Sequence, residues 1–137
     1  MARDIFHDLV RAGLENEGWT ITGDPYIISL DSVNFQVDLA AERIIAAQKN
    51  NEKIAVEIKS FINASAVTDF YRALGQFLSY RLVLQQTEPE RRLYLAVPLD
   101  TYEIFFQSTF AQLAVREYQL KLIVYDSQYG GLTQWIN

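Results

Sequence analysis

The segment Lys53-Ile54-Ala55-Val56-Glu57-Ile58-Lys59 narrows the fold more than any other stretch of the chain. Its apolar residues are Ile54, Ala55, Val56 and Ile58, three of them β-branched, and it is short, so it reads as a strand. Side chains alternate along a strand, so Glu57 and Lys59 point to one face while Val56 and Ile58 point to the other. A hydrophobic strand that ends on two same-face charges suits the place where an open α/β sheet presents its ligands, outside the strand ends.

The neighbouring segments build a sheet around it. Phe35-Gln36-Val37-Asp38-Leu39 and Arg43-Ile44-Ile45-Ala46-Ala47-Gln48 both read as strands. The polar Lys49-Asn50-Asn51-Glu52, whose asparagines tolerate positive φ, predicts a hairpin turn into Lys53 to Lys59. Apolar residues at Ile5, Phe6, Leu9, Val10, Gly13 and Leu14 follow helical spacing over Arg3 to Glu17, with Gly18 as the stop. Trp19 to Ile21 and Tyr26 to Leu30 are strand-like pieces on either side of a Gly23-Asp24-Pro25 turn. After Ser65 a long helix runs to about Gln86, with Phe70, Leu74, Phe77, Leu78 and Leu82 on its apolar side. Arg92 to Val97 reads as a buried strand stopped by Pro98, Thr101 to Tyr118 as helix, and Leu120 to Tyr125 and Leu132 to Ile136 as closing strands. Glu88-Pro89-Glu90-Arg91-Arg92 reads as a mixed-charge loop. The order of elements predicts an α/β fold, a mixed sheet flanked by helices.

Bulk properties set the remaining bounds. With 137 residues, half of them hydrophobic, the chain is expected to form one domain over 1–137, and it shows no repeat or linker-like run. No apolar run approaches the roughly 20 residues a bilayer requires, and no signal peptide is visible at Met1-Ala2-Arg3-Asp4, so the expected location is cytoplasmic and away from membranes. The absence of cysteine excludes disulfides and thiolate metal sites. A net charge of −5 argues against a basic surface that coats nucleic acid, but not against a DNA enzyme whose own carboxylates add negative charge. No P-loop, GxGxxG, GxSxG or metalloprotease helix is present.

Asp38 and Glu57, on neighbouring strands, supply the chemistry. Phosphodiester hydrolysis profits from a metal that polarises the phosphoryl oxygen and lowers the pKa of an attacking water, and magnesium favours one or two carboxylates with waters completing its shell. Asp38, Glu57 and the Ile58 carbonyl are therefore the expected metal ligands. Lys59 is expected to orient the nucleophile and stabilise developing charge. Gln76 shares a helix face with Arg72 and Tyr80 and is placed to reach the phosphate or the water. The plainer alternative makes Glu57 and Lys59 a solvated surface ion pair and Gln76 a surface glutamine. His7 reads as a packed or surface histidine. Arg43, Lys49, Lys53, Arg72 and Arg81 form a candidate phosphate-tracking stripe, with Arg43, Lys53 and Arg72 as the expected DNA contacts.

The pattern of helix, Asp38, Glu57-Ile58-Lys59 and then Gln76 on the next helix resembles the PD-(D/E)xK nuclease superfamily. More closely, Val37 to Arg43, Ile54 to Phe61, Ala73 to Phe77, Leu93 to Pro98 and Tyr118 to Val124 are similar to the XisH family, the cyanobacterial fdxN element excision controlling factors. The resemblance implies a restriction-endonuclease-like fold and a magnesium-dependent site, with manganese as the substitute metal. It also implies a part in the programmed excision of a DNA element, in the setting of heterocyst differentiation, beside a site-specific recombinase and the companion factor XisI. Two departures stand out: Val37 occupies the position where a proline often precedes the aspartate, and His7 stands where archaeal junction resolvases carry a glutamate. Two readings follow, a DNA endonuclease or a non-catalytic accessory protein that holds a partner or DNA. A toxin–antitoxin-like pairing with the companion factor is a third. Cutting both strands of a duplex takes two sites, so a homodimer is the expected assembly.

Overall fold

The structure of the chain, a computed structural model, describes residues 5–44 and 51–137. Helix α1 (Ile5–Asn16) buries Val10, Gly13 and Leu14. It stops at Gly18, whose φ of 93° is open to glycine and which lets the Trp19 N–H return to the Leu14 carbonyl at 3.0 Å. The strands that follow are β1 (Thr20–Gly23), β2 (Tyr26–Leu30), β3 (Val33–Val37), β4 (Leu39–Arg43) and β5 (Glu52–Ile58). Helix α2 (Ala66–Thr87), capped by the Ser65 hydroxyl on the Thr68 N–H, leads to β6 (Arg92–Pro98). Helices α3 (Leu99–Ile104) and α4 (Thr109–Glu117) come next, and β7 (Leu122–Tyr125) and β8 (Leu132–Ile136) close the chain.

Six strands form one mixed sheet in the order β1-β4-β5-β6-β7-β8. The central β5, β6 and β7 are parallel, and β4, β1 and β8 extend the sheet by antiparallel pairing. Strands β2 and β3 pair only with each other. One face of the large sheet packs Leu39, Ala41, Ile54, Val56, Tyr94, Ala96, Ile123 and Tyr125 against α1. The other packs Ala55, Leu93, Leu95, Val97, Leu122 and Val124 against α2 and the α3–α4 region. The result is the expected α/β architecture, a sheet with helices on both faces. Among the described residues no helix is long and apolar enough to cross a membrane.

Four details depart from the expectations. Phe35 to Leu39 is not one strand, because the chain bends at Asp38. Val37 belongs to the α2-side core and Leu39 to the α1-side core, whereas residues two apart in an unbroken strand share a face, so the backbone must turn over between them. Accordingly β4 starts at Leu39 and ends at Arg43, ahead of the expected Arg43 to Gln48, of which Ile45 to Gln48 lie outside the described residues, as do Lys49 and Asn50. The predicted helix over Thr101 to Tyr118 is three pieces. It begins directly after Pro98, tightens into a 3₁₀ turn over Phe105–Gln107, and restarts where the Ser108 hydroxyl accepts from the Ala111 N–H at 3.2 Å. Finally, Arg91 is no loop ornament but a buried residue, 7% exposed.

Candidate active site

Antiparallel pairing places the start of β4 beside the end of β5, with Leu39 opposite Val56. Asp38 therefore lies next to Glu57, and the two are interlocked. The Asp38 N–H donates to Glu57 Oε1 at 3.2 Å, and the Ile58 N–H donates to Asp38 Oδ2 at 2.8 Å. Lys59 Nζ stands 3.3 Å from Glu57 Oε2, on the face predicted by strand alternation. Its backbone is held on both sides: its N–H donates to the Ala96 carbonyl at 2.9 Å, and its carbonyl accepts from the Tyr125 hydroxyl at 2.8 Å. Lysine and carboxylates thus hang from the two innermost kinds of support in the molecule, strand ladders and a buried tyrosine.

The environment of Glu57 is costly for a charge. It is 5% exposed, and burial first, then the neighbouring Asp38 charge, push its carboxyl up from 4.5 to about 7, with Lys59 and the Asp38 N–H pulling the other way. Tyr80 of α2 responds to the same pair: burial, followed by the negative charges of Glu57 and Asp38, raises its phenol to about 12. Helix α2 therefore presents Tyr80 to the carboxylates. One helical turn earlier Gln76 keeps a buried Oε1 with no hydrogen-bond partner among the described residues. A buried orphan acceptor costs about 1–3 kcal/mol, and such atoms are rare in finished structural networks.

The donor set suits magnesium. Among the described residues no group of three or more His, Cys, Asp or Glu is gathered for a metal ion. Magnesium does not need one, since it is commonly held by one or two carboxylates and keeps its waters. Asp38 and Glu57 provide the pair. The Ile58 carbonyl leaves β5 at the same edge, beside the Ile58 N–H that Asp38 already holds.

Not all the expected residues assemble here. Asp38, Glu57, Ile58 and Lys59 do; Gln76 lies on α2 one turn before Tyr80, the residue that the carboxylate charges reach. Arg43 and Lys53 do not, because they lie toward the opposite end of the sheet. At about 3.3 Å per residue, Lys53 is roughly 13 Å along β5 from Glu57. Arg43 is bound to Glu52 at 2.8 Å and lies over the Trp19 ring, 4.6 Å from its centroid. Arg81 donates to the Tyr118 carbonyl at 2.7 Å, anchoring the end of α4. Arg72 shares a recess with Lys59. His7 is engaged by Asp24, with Nε2 2.7 Å from Oδ1, and Arg11 binds the other oxygen of the same carboxylate. Nothing local in the sequence singles out Tyr125, which simply ends an apolar run. Helical spacing marks Tyr80 only as a neighbour of Gln76 on one helix face.

A mixed α/β protein that carries a mutually locked carboxylate pair, with Glu57 buried, and a lysine at the end of a central strand is the class these features define. The chain belongs to the XisH family, whose description, XisH protein, matches it over residues 1–132. A crystal structure of an XisH family protein from Nostoc punctiforme PCC 73102 is similar at 48% identity and a TM-score of 0.89, covering 98% of this chain and 100% of that one. A crystal structure of an fdxN element excision controlling factor protein from Anabaena variabilis is 46% identical, with a TM-score of 0.87 and coverage of 98% and 100%. No curated protein matches the chain.

Proposed function

We propose that the chain is an excision controlling factor with a magnesium-dependent endonuclease site of the PD-(D/E)xK type, acting on DNA in the cytoplasm. The observation that carries this reading is the interlocked Asp38 and Glu57 pair with Lys59 beside it, whose charges reach Tyr80 of α2. Magnesium, or manganese in its place, supplies Lewis-acid polarisation of the phosphoryl oxygen and a more acidic attacking water. Asp38, Glu57 and the Ile58 carbonyl would hold the ion. Glu57 must be ionised to do so, and a carboxyl raised to about 7 is half protonated near neutrality, so metal binding displaces a proton and tightens as pH rises through that region. Lys59, its backbone fixed by Ala96 and Tyr125, orients the water and steadies charge on the phosphate. Gln76 offers its orphaned Oε1 to the water or its shell. A homodimer would present two such sites to a duplex. The companion factor XisI and a site-specific recombinase are the proposed partners.

The test is calorimetric binding of magnesium and manganese to the native chain, Asp38→Ala and Glu57→Ala, followed by cleavage of duplex and branched DNA. The expected result is loss of binding and cleavage in parallel in both variants. A native chain that binds neither ion sinks the enzyme reading. A second reading, a non-catalytic accessory protein that holds the companion factor or DNA, is favoured by the net charge of −5 and by the engagement of Arg43 away from the site. It predicts DNA or partner binding that persists in chelator, with cleavage in neither metal.

A further inference from the structure

Beside Lys59 lies a recess of about 170 Å³ lined by Lys59, Ser60, Phe61, Asn63, Asp69 and Arg72. Its single acid is already engaged, because the Asn63 N–H and Nδ2 donate to the two oxygens of Asp69 at 3.3 and 2.8 Å. Its cations are differently placed. Lys59 reaches back to Glu57, whereas Arg72 makes no ion pair or hydrogen bond among the described residues. Ser60 adds a hydroxyl with no partner among the same residues. The wall between them rests on an unusual backbone: Phe61 sits at a φ of 52°, a left-handed conformation that bulky side chains rarely adopt. Its ring is packed against Phe105 and Phe106, with centroids 6.4 and 5.8 Å away, and this packing holds the bend in place. Strain compensated in this way gathers where a site demands a particular geometry.

We infer that this recess seats a phosphate of the substrate strand next to the scissile one, with Arg72 and the Ser60 hydroxyl as its ligands and Lys59 standing between the two phosphates. The inference rests on the nuclease reading for its register and adds to it the requirement for an intact flanking phosphodiester. A free guanidinium with a hydroxyl beside it is a donor set for a phosphate oxygen pair, and arginine is the side chain best matched to that geometry. Arg72 also lies one turn before Gln76 and two before Tyr80, so one face of α2 carries, in sequence, the proposed phosphate ligand, the orphaned amide and the phenol facing the carboxylates.

The experiment is binding of fluorescein-labelled duplex DNA by anisotropy, with calcium in place of magnesium and sodium chloride varied. It compares the native chain, Arg72→Gln, and Arg116→Gln as a surface control. Loss of one phosphate contact lowers the salt slope by about one, which near 0.1 M salt corresponds to roughly tenfold weaker binding. Arg72→Gln is expected to show both effects and Arg116→Gln neither. A single methylphosphonate walked along the oligonucleotide then weakens binding to the native chain at one position where Arg72→Gln is indifferent. Equal salt slopes, identical methylphosphonate profiles, or no DNA binding by the native chain overturns the inference. The two readings fail separately. Cleavage in magnesium with Arg72 silent removes the phosphate seat and leaves the nuclease, whereas Arg72-dependent binding with no cleavage in either metal does the reverse.

Discussion

Two charged residues are buried along β5, Arg91 packed against its first half from just before β6 and Glu57 near its end, and their surroundings treat them in opposite ways. At the start of the strand Arg91 is fully partnered: Nε donates to Glu88 Oε1 at 3.0 Å, Nη1 donates to the Ile54 carbonyl at 3.0 Å, and Nη2 lies 3.7 Å from Glu42 Oε2. The Tyr26 ring lies under its guanidinium at 4.8 Å, and the Tyr26 hydroxyl donates to the other oxygen of Glu88. Burial works to raise the Glu88 carboxyl, but the hydrogen bonds from Tyr26 and Arg91 and the Arg91 charge outweigh it and hold the group below its ordinary value. At the other end Glu57 is forced up by burial and by Asp38, and α2, whose Tyr80 feels the same charges, holds a buried Gln76 Oε1 with no hydrogen-bond partner among the described residues. A buried charge surrounded by opposite charge and donors has its desolvation offset, and the fold then depends on keeping every partner in place. Like charges pressed together beside an orphaned group destabilise it, and such an arrangement persists where a ligand completes it.

The sharpest way to break that contrast is Arg91→Ala. It leaves Glu88, Glu42 and the Ile54 carbonyl without their cation, so a loss of about 4 kcal/mol is expected in urea unfolding, within the range for breaking a buried pair. Metal binding per folded molecule should be unchanged. A loss below about 1 kcal/mol, or a parallel loss of metal binding, would mean that the two ends do not have separate roles.

The second effect is nearly as large and has the opposite sense. Because the folded state raises the Glu57 carboxyl from 4.5 to about 7, the native chain holds this proton more tightly than the unfolded chain does. The Glu57 contribution to stability is therefore fully present below about pH 4.5, is lost as pH rises through 7, and amounts to about 3 kcal/mol. Urea unfolding at pH 5 and pH 8 should show this fall in the native chain and lack it in Glu57→Gln. Magnesium added at pH 8 should restore stability to the native chain by mass action and leave Glu57→Gln unmoved. A native profile as flat as that of the variant would mean that Glu57 is not under the pressure the geometry implies.

How much of this contrast could be read from sequence depends on the distance over which each part is determined. That Glu57 and Lys59 share a face follows from strand alternation within three residues, and the β4–β5 hairpin brings Asp38 to them across a short connection. The bend at Asp38 was not legible, because it exists only once α1 and α2 have claimed opposite faces of the sheet for Leu39 and Val37. Arg91 looked like part of a charged loop because Tyr26, Glu42 and Ile54 are remote in sequence. Arg43 and Lys53 looked like companions of Glu57 for the reverse reason: they are close in sequence, and an extended strand carries them away from it. The role of Tyr80 required knowing which side of α2 meets β5, which periodicity alone does not give.

The smallest effect probes the orphan itself. Gln76→Leu keeps a good helix former and the approximate volume, and removes the buried Oε1 that has no partner among the described residues. Relief of that unsatisfied group should stabilise the metal-free chain by about 1 kcal/mol, while cleavage falls because the water or phosphate loses a polar neighbour. Stability gained where activity is lost is the signature of a residue kept for a ligand, and Arg91→Ala cannot show it, because every partner of Arg91 belongs to the fold. If Gln76→Leu instead lowers the urea midpoint, the amide is already engaged in the resting protein, and the two ends of β5 differ in charge alone.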